Sequence, residues 1–149
     1  MSDTKHNFLF QPGNWIGEGK VSFSASPDEL RFFTRWVINV TEDDKIQCKQ
    51  TVEIQGVGEH VINSFVISDV QSNSFAIELQ NEMLEKVKGE GIIDPKRIAW
   101  EFRQHETFEG FEVYQLSDDG EYTFHAEYSS PDQFRTIIDG RIWRKTEVK

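Results

Sequence analysis

Apolar and small residues recur at every second position along most of this chain. Between Trp15 and Ala25 they are Trp15, Gly17, Gly19, Val21, Phe23 and Ala25, and Glu18, Lys20, Ser22 and Ser24 alternate with them. Successive side chains of an extended strand point to opposite faces, so the pattern predicts a strand with one buried face. The next run sets Leu30, Phe32, Thr34, Trp36, Ile38 and Val40 against Arg31, Arg35 and Asn39. A third sets Ile46, Cys48, Gln50, Val52 and Ile54 against Gln47, Lys49, Thr51 and Glu53. Similar runs cover 75–79, 98–102, 122–128 and 134–142, with less regular ones near 57–67, 83–93 and 108–117. About ten strands result. Over 82–88 a short helix through Met83, Leu84 and Val87 competes with the strand reading.

The breaks agree with this division. Pro12, Pro27, Pro95 and Pro131 all fall between the runs, where a missing N–H harms no ladder. Asp43-Asp44, Ser72-Asn73, Asp118-Asp119-Gly120 and Ser129-Ser130-Pro131-Asp132 carry turn chemistry. No linker and no internal repeat divides residues 1–149, which read as a single domain. Ten short antiparallel strands must protect their edges. A closed barrel removes the edges; a two-sheet sandwich is the alternative. Three Gly-x-Gly pairs, Gly17/Gly19, Gly56/Gly58 and Gly89/Gly91, each place two glycines on one strand face and permit the tight coiling of a barrel. The expectation is an all-β fold: one closed antiparallel barrel of about ten strands.

Composition narrows the function. Aromatic residues make up 13% of the chain, too many for a disordered acidic segment. A formal net charge of −10 argues against a nucleic-acid binder, which must set positive charge against phosphate, and against attraction to an anionic membrane. Cys48 is the one cysteine, so no internal disulfide forms, and the first ten residues lack the apolar run of a signal peptide. These features predict a cytoplasmic protein. Monomer and homodimer both stay open.

Catalytic and metal motifs are absent from the sequence. The Gly-x-Gly pairs lack the third glycine and following helix of a nucleotide loop. His6, His60, His105 and His125 are scattered singly, without ligand spacing, so no metal and no cofactor is expected. Cys48 lies on an apolar strand face and reads as a core thiol. The aromatic residues are the informative set. Trp36, Trp100, Phe102, Phe124 and Tyr128 fall on inward faces, and a barrel of this size is either filled by such side chains or encloses a small ligand. Thr34 and Gln50 lie on the same faces as those rings. Arg141 faces inward if Trp143 does, and is solvated if Gly140 and Ile142 face inward.

The segment Phe10-Gln11-Pro12-Gly13-Asn14-Trp15-Ile16-Gly17-Glu18-Gly19 resembles the opening of calycin-type barrels, a group that includes lipocalins, fatty-acid-binding proteins and nitrobindin-like haem barrels. Arg141-Ile142-Trp143-Arg144 is similar to their last strand, where an arginine packs near the first-strand tryptophan. The resemblance implies that Arg141 or Arg144 meets Trp15. Only a turn fits at 25–29, so the helical lid of fatty-acid-binding proteins has no counterpart. No histidine follows His125, so the haem-ligating histidine near the nitrobindin C-terminus has none either.

The expected function is binding of a small apolar or amphipathic molecule in an aromatic-lined cavity, with Trp36, Trp100, Phe102, Phe124, Tyr128 and Arg141 as ligand-binding residues. Two alternatives stand beside it. One is a lyase- or isomerase-type enzyme on the same barrel, using Tyr128, Glu127, His125 or Arg141. The other is a filled barrel acting as an interaction subunit through Ile16, Phe33, Val37, Ile137 and Trp143.

Overall fold

The computed structural model describes residues 6–24, 26–58, 60–82, 85–103, 108–129 and 135–145. They form ten strands: β1 (Gly13–Phe23), β2 (Glu29–Val40), β3 (Ile46–Ile54), β4 (His60–Ser68), β5 (Ser74–Gln80), β6 (Val87–Asp94), β7 (Arg97–Phe102), β8 (Glu109–Leu116), β9 (Tyr122–Ser129) and β10 (Arg135–Arg144). Each strand pairs antiparallel with its sequence neighbour, and β1 closes on β10. The result is an all-β closed barrel without sheet edges, as the alternation predicts.

The period of two becomes inside and outside. Along β2, Phe32, Thr34, Trp36 and Ile38 are buried and the residues between them are exposed. The register aligns these inner positions around the wall: Trp36 is opposite Trp15 and Gln50, and Phe65 is opposite Cys48 and Leu79. Gly17 and Gly19 face inward where the barrel wall coils tightly. A Cβ on Gly19 would stand 2.2 Å from the Asp139 carbonyl oxygen, so only glycine fits. Gly89 and Gly91 make room for Phe102 and Phe75 in the same way.

Two expectations change, and of the two readings of 82–88 the strand one is borne out from Val87 onward. Gly56 and Gly58 share no strand face. They lie in the β3–β4 connection, where Gly56 has a φ of 84° and nothing crowds either residue. The segment 82–88 contributes the start of β6 at Val87 and no helix among its described residues; Met83 and Leu84 lie outside them. Ser129 ends β9 instead of belonging to a turn, and Ser130, Pro131, Asp132 and Phe134 lie outside the described residues, as do Ala25 and His105.

Residues 6–12, ahead of β1, fold back into one end of the barrel. Phe8 is fully buried there, with its ring 5.0–5.5 Å from those of Trp15, Trp36, Tyr114 and Tyr122. His6 fixes the plug from the side. Its Nε2 donates to the Asp94 carbonyl at 2.6 Å, and its Nδ1 pairs with the Tyr122 hydroxyl at 2.7 Å. Leu9, also fully buried, takes a φ of 78°. A left-handed leucine costs on the order of 1–3 kcal/mol, so the packing around it must hold it there.

Candidate ligand-binding interior

The plug closes the end where β1 begins. In an antiparallel meander the last residues of β1, β3, β5, β7 and β9 then lie at the other end. Half-buried apolar side chains pack against the core at that end, among them Phe23, Leu30, Val52, Phe108, Tyr128 and Ile138. Below them the interior is aromatic. Trp36 stacks on Phe65 at 5.3 Å between centroids, and Trp100 stacks on Tyr114 at 5.0 Å. Tyr114 in turn stacks on Phe124 at 5.0 Å.

Two polar clusters interrupt this apolar surface on facing walls. On β2–β5, Gln50 donates to Thr34 at 3.2 Å, Asn63 donates to Gln50 at 3.0 Å, and Asn81 donates to Asn63 at 2.9 Å. Thr34 and Gln50 are buried, and Asn63, directly across from Gln50, is half-buried. On β7–β9, Glu112 is buried and accepts hydrogen bonds from Tyr114, at 2.8 Å, and from Tyr128.

Burial pushes the Glu112 carboxyl above its usual range, against the hydrogen bonds of Tyr128 and Tyr114, which favour the anion. Burial and the adjacent Glu112 charge push the Tyr114 and Tyr128 phenols well above theirs. The Trp100 indole favours the charged forms of Glu112 and Tyr128, although its N–H makes no hydrogen bond of good geometry. The Trp36 N–H is likewise buried without an acceptor. An unmatched buried donor costs about 1–3 kcal/mol, so these two indoles mark where an acceptor is wanted.

Of the residues expected at a site, Trp36, Trp100, Phe102, Phe124 and Tyr128 all point into the barrel. Arg141 does not. Gly140 and Ile142 take the inner face of β10, leaving Arg141 outside, half-exposed between Glu18 and Glu121 and over the Trp143 ring at 4.9 Å. A guanidinium inside would have needed a desolvated anion as partner. Arg144, not Arg141, stands opposite Trp15 in the β1–β10 register. His125 and Glu127, named with Arg141 as catalytic alternatives, also face outward. His125 bonds Asp139 at 2.6 Å and Glu127 at 2.8 Å, and Arg135 approaches Glu127 at 3.3 Å. Cys48 is a core thiol pushed up to about 12 by burial.

Sequence reasoning missed Glu112 because β8 carries a glutamate where an apolar residue would complete the inner row. The signal was Gly110, Tyr114 and Leu116 on alternate positions, which puts Glu112 on the same face. No group of three or more His, Cys, Asp or Glu residues with metal-holding geometry occurs among the described residues. Outside the barrel, Phe33 and Val37 are exposed beside Ile16 and Trp143. Ile92 and Phe111 flank a groove of about 700 Å³ across β5–β8.

No family model matches this chain, and no curated protein does. Among solved structures, the crystal structure of Rv2717c from M. tuberculosis is similar, with a TM-score of 0.71 over 91% of this chain and 92% of that one. The two are 10% identical, so the likeness is one of fold.

Proposed function

We propose that the barrel binds a small, largely apolar molecule carrying a polar group, taken up at the end away from the Phe8 plug. The observation that carries this reading is the Glu112–Tyr114–Tyr128 cluster. A purely structural core gains nothing from a buried carboxyl, whereas a binding interior needs a few fixed polar groups on an apolar lining. The half-buried apolar residues at the end away from the plug and the two unmatched indole donors support the same reading. We take the fold as calycin-like and the location as cytoplasmic. Phe102 and Phe124 supply ring surface, and Trp36, Trp100 and Tyr128 supply surface and a polar edge. Arg141, outside the wall, has no part in the site.

A native mass spectrum of the purified protein, repeated after denaturation, tests the reading. The expected result is an additional mass that disappears on unfolding, or one restored by soaking the protein with apolar compounds. A bare chain under both treatments would sink the reading.

The enzyme alternative draws support from Glu112 as well, since a buried acid beside two phenols can protonate a bound substrate. Turnover of a bound compound, abolished in Glu112→Gln, would favour it. The interaction-subunit alternative draws on Phe33, Val37, Ile92 and Phe111, but gives the interior polar clusters no role.

A further inference from the structure

The groove of about 700 Å³ on the outer wall of β5–β8 has no part in the interior site. Two rows of outward side chains cross it, each residue directly opposite the next. One row runs Ser74, Ile92, Ala99, Val113, and the other Ala76, Glu90, Glu101, Phe111. The two alanines make a low floor. Ile92, 59% exposed, and Phe111, 36% exposed, stand at its flanks. The fold gains little from apolar side chains held out in water, and several of them around one groove mark a contact surface.

The charges in this groove have one sign. Asp69, Glu90 and Glu101 line it, and no lysine or arginine does. Glu90 and Glu101 stand opposite each other on β6 and β7, a pairing of like charges that costs stability. Arg103 reaches Glu101 at 2.9 Å and offsets part of that cost. Lys88, two residues before Glu90, stands opposite Glu78. Among the described residues Asp69 and Glu90 take part in no ion pair. What covers the groove must therefore bring apolar surface and positive charge together. Anionic membranes and nucleic acids meet this rim as like charge. The barrel is closed, so no added strand can pair with an edge, and recognition falls to side chains. The distance from β5 to β8 is about 14 Å, the reach of roughly four to five extended residues.

We propose that this groove docks a short basic, apolar segment of another protein. One large apolar side chain sits on Ala76 and Ala99 between Ile92 and Phe111, and a neighbouring lysine or arginine reaches Glu90 and Asp69. The proposal concerns the outer wall alone and stands whatever the interior binds.

Titration of a blocked peptide, Gly-Lys-Leu-Phe-Lys-Gly, into the isotope-labelled full chain tests it, with backbone amide shifts followed by NMR. The shifts are expected to centre on β6, β7 and β8. Binding should be about tenfold tighter than for Gly-Glu-Leu-Phe-Glu-Gly or Gly-Lys-Ala-Ala-Lys-Gly, and should weaken several-fold as salt is raised to about 0.5 M. Glu90→Lys, which sets opposite charges across β6–β7, should cost about fivefold in affinity, and Ile92→Ser a similar factor. Both positions are exposed, so the fold should survive, and a parent-like amide spectrum checks it. Phe33→Ser, on the outer face of β2, should bind like the parent. No shifts on β6–β8, equal binding of the glutamate peptide, or unchanged affinity in both groove variants overturns the proposal. So does 2-naphthylmethylammonium binding there as tightly as the peptide, which would make the groove a small-molecule site. A dimer of the parent that Ile92→Ser dissolves would put a second copy there, and overturns it too.

Discussion

Trp100 and Glu112 stand directly opposite each other on β7 and β8, side chains to the inside, and the indole N–H is left without an aligned acceptor beside the carboxyl. A carboxyl raised above its ordinary value of 4.5 in the fold keeps its proton longer there than in the unfolded chain. Its contribution to stability is then present at low pH and is lost as pH rises through the folded value. Glu112→Gln should therefore raise stability at pH 8 by about 1–3 kcal/mol, the scale for burying an imperfectly matched polar group. The advantage should shrink toward pH 4. Urea midpoints of parent and variant across that range measure it; a gap that grows as pH falls would contradict the assignment.

His125 gives a smaller pH dependence on the outer wall. Glu127 and Asp139 hold its ring above the usual 6.5, so its stabilisation is present below that value and fades as pH rises through the folded one. The side chain is 39% exposed, so the effect should stay below about 1 kcal/mol and weaken with salt. Thermal midpoints of the parent and His125→Gln should differ at pH 6 and converge at pH 9.

Glycines on the inner face are not interchangeable with those in the connections. Gly19→Ala would set a methyl 2.2 Å from the Asp139 carbonyl oxygen and 2.7 Å from the Gly140 Cα, backbone atoms that cannot swing aside. A loss of about 1–3 kcal/mol is expected, the scale of overpacking. Gly58→Ala meets nothing within 4 Å and should leave the urea midpoint near that of the parent.

Removing the plug ring should be costly. Phe8→Ala empties a fully buried position that touches four aromatic rings, for a loss of about 3–5 kcal/mol. At this chain length that is roughly a 10 °C fall in Tm. Calorimetry would show it, and an unchanged Tm would mean the segment is not docked in solution.

Cys48 should resist a thiol reagent such as dithionitrobenzoate at pH 8 while the chain is folded and react at once in urea. Its thiol is buried and raised to about 12, so the reactive thiolate is scarce.

The strand pattern was legible wherever one face of the wall is apolar and the other wet. Strict alternation from Glu29 to Val40 sufficed to place Trp36, and the same rule placed Trp100, Phe102, Phe124 and Tyr128. It failed where both faces are apolar. β10 carries Ile137, Ile138, Ile142 and Trp143, and the face of Arg141 was settled by closure against β1, a contact about 120 residues away in sequence. Glu112 escaped because hydrophobic periodicity cannot recognise a polar residue on the inside. Phe8 and Leu9 escaped because a three-residue apolar turn has no period, and its value lies wholly in the cavity end that the other strands create.

Closure of β10 onto β1 also governs how such a chain can assemble. Nine of the ten pairings are hairpins between neighbours and can form locally, but the seam joins Trp15 to Arg144 and must wait for the final strand. During synthesis β1 therefore spends the whole elongation time with one unpaired rim, an open template for another nascent chain. Loss of the last strand would leave that rim exposed permanently and free a second one on β9. Shortening at this terminus should accordingly lead to aggregation before it leads to a smaller stable barrel. Joining the two ends and reopening the ring at the Asp118–Gly120 turn would move the late step elsewhere while keeping every strand pair.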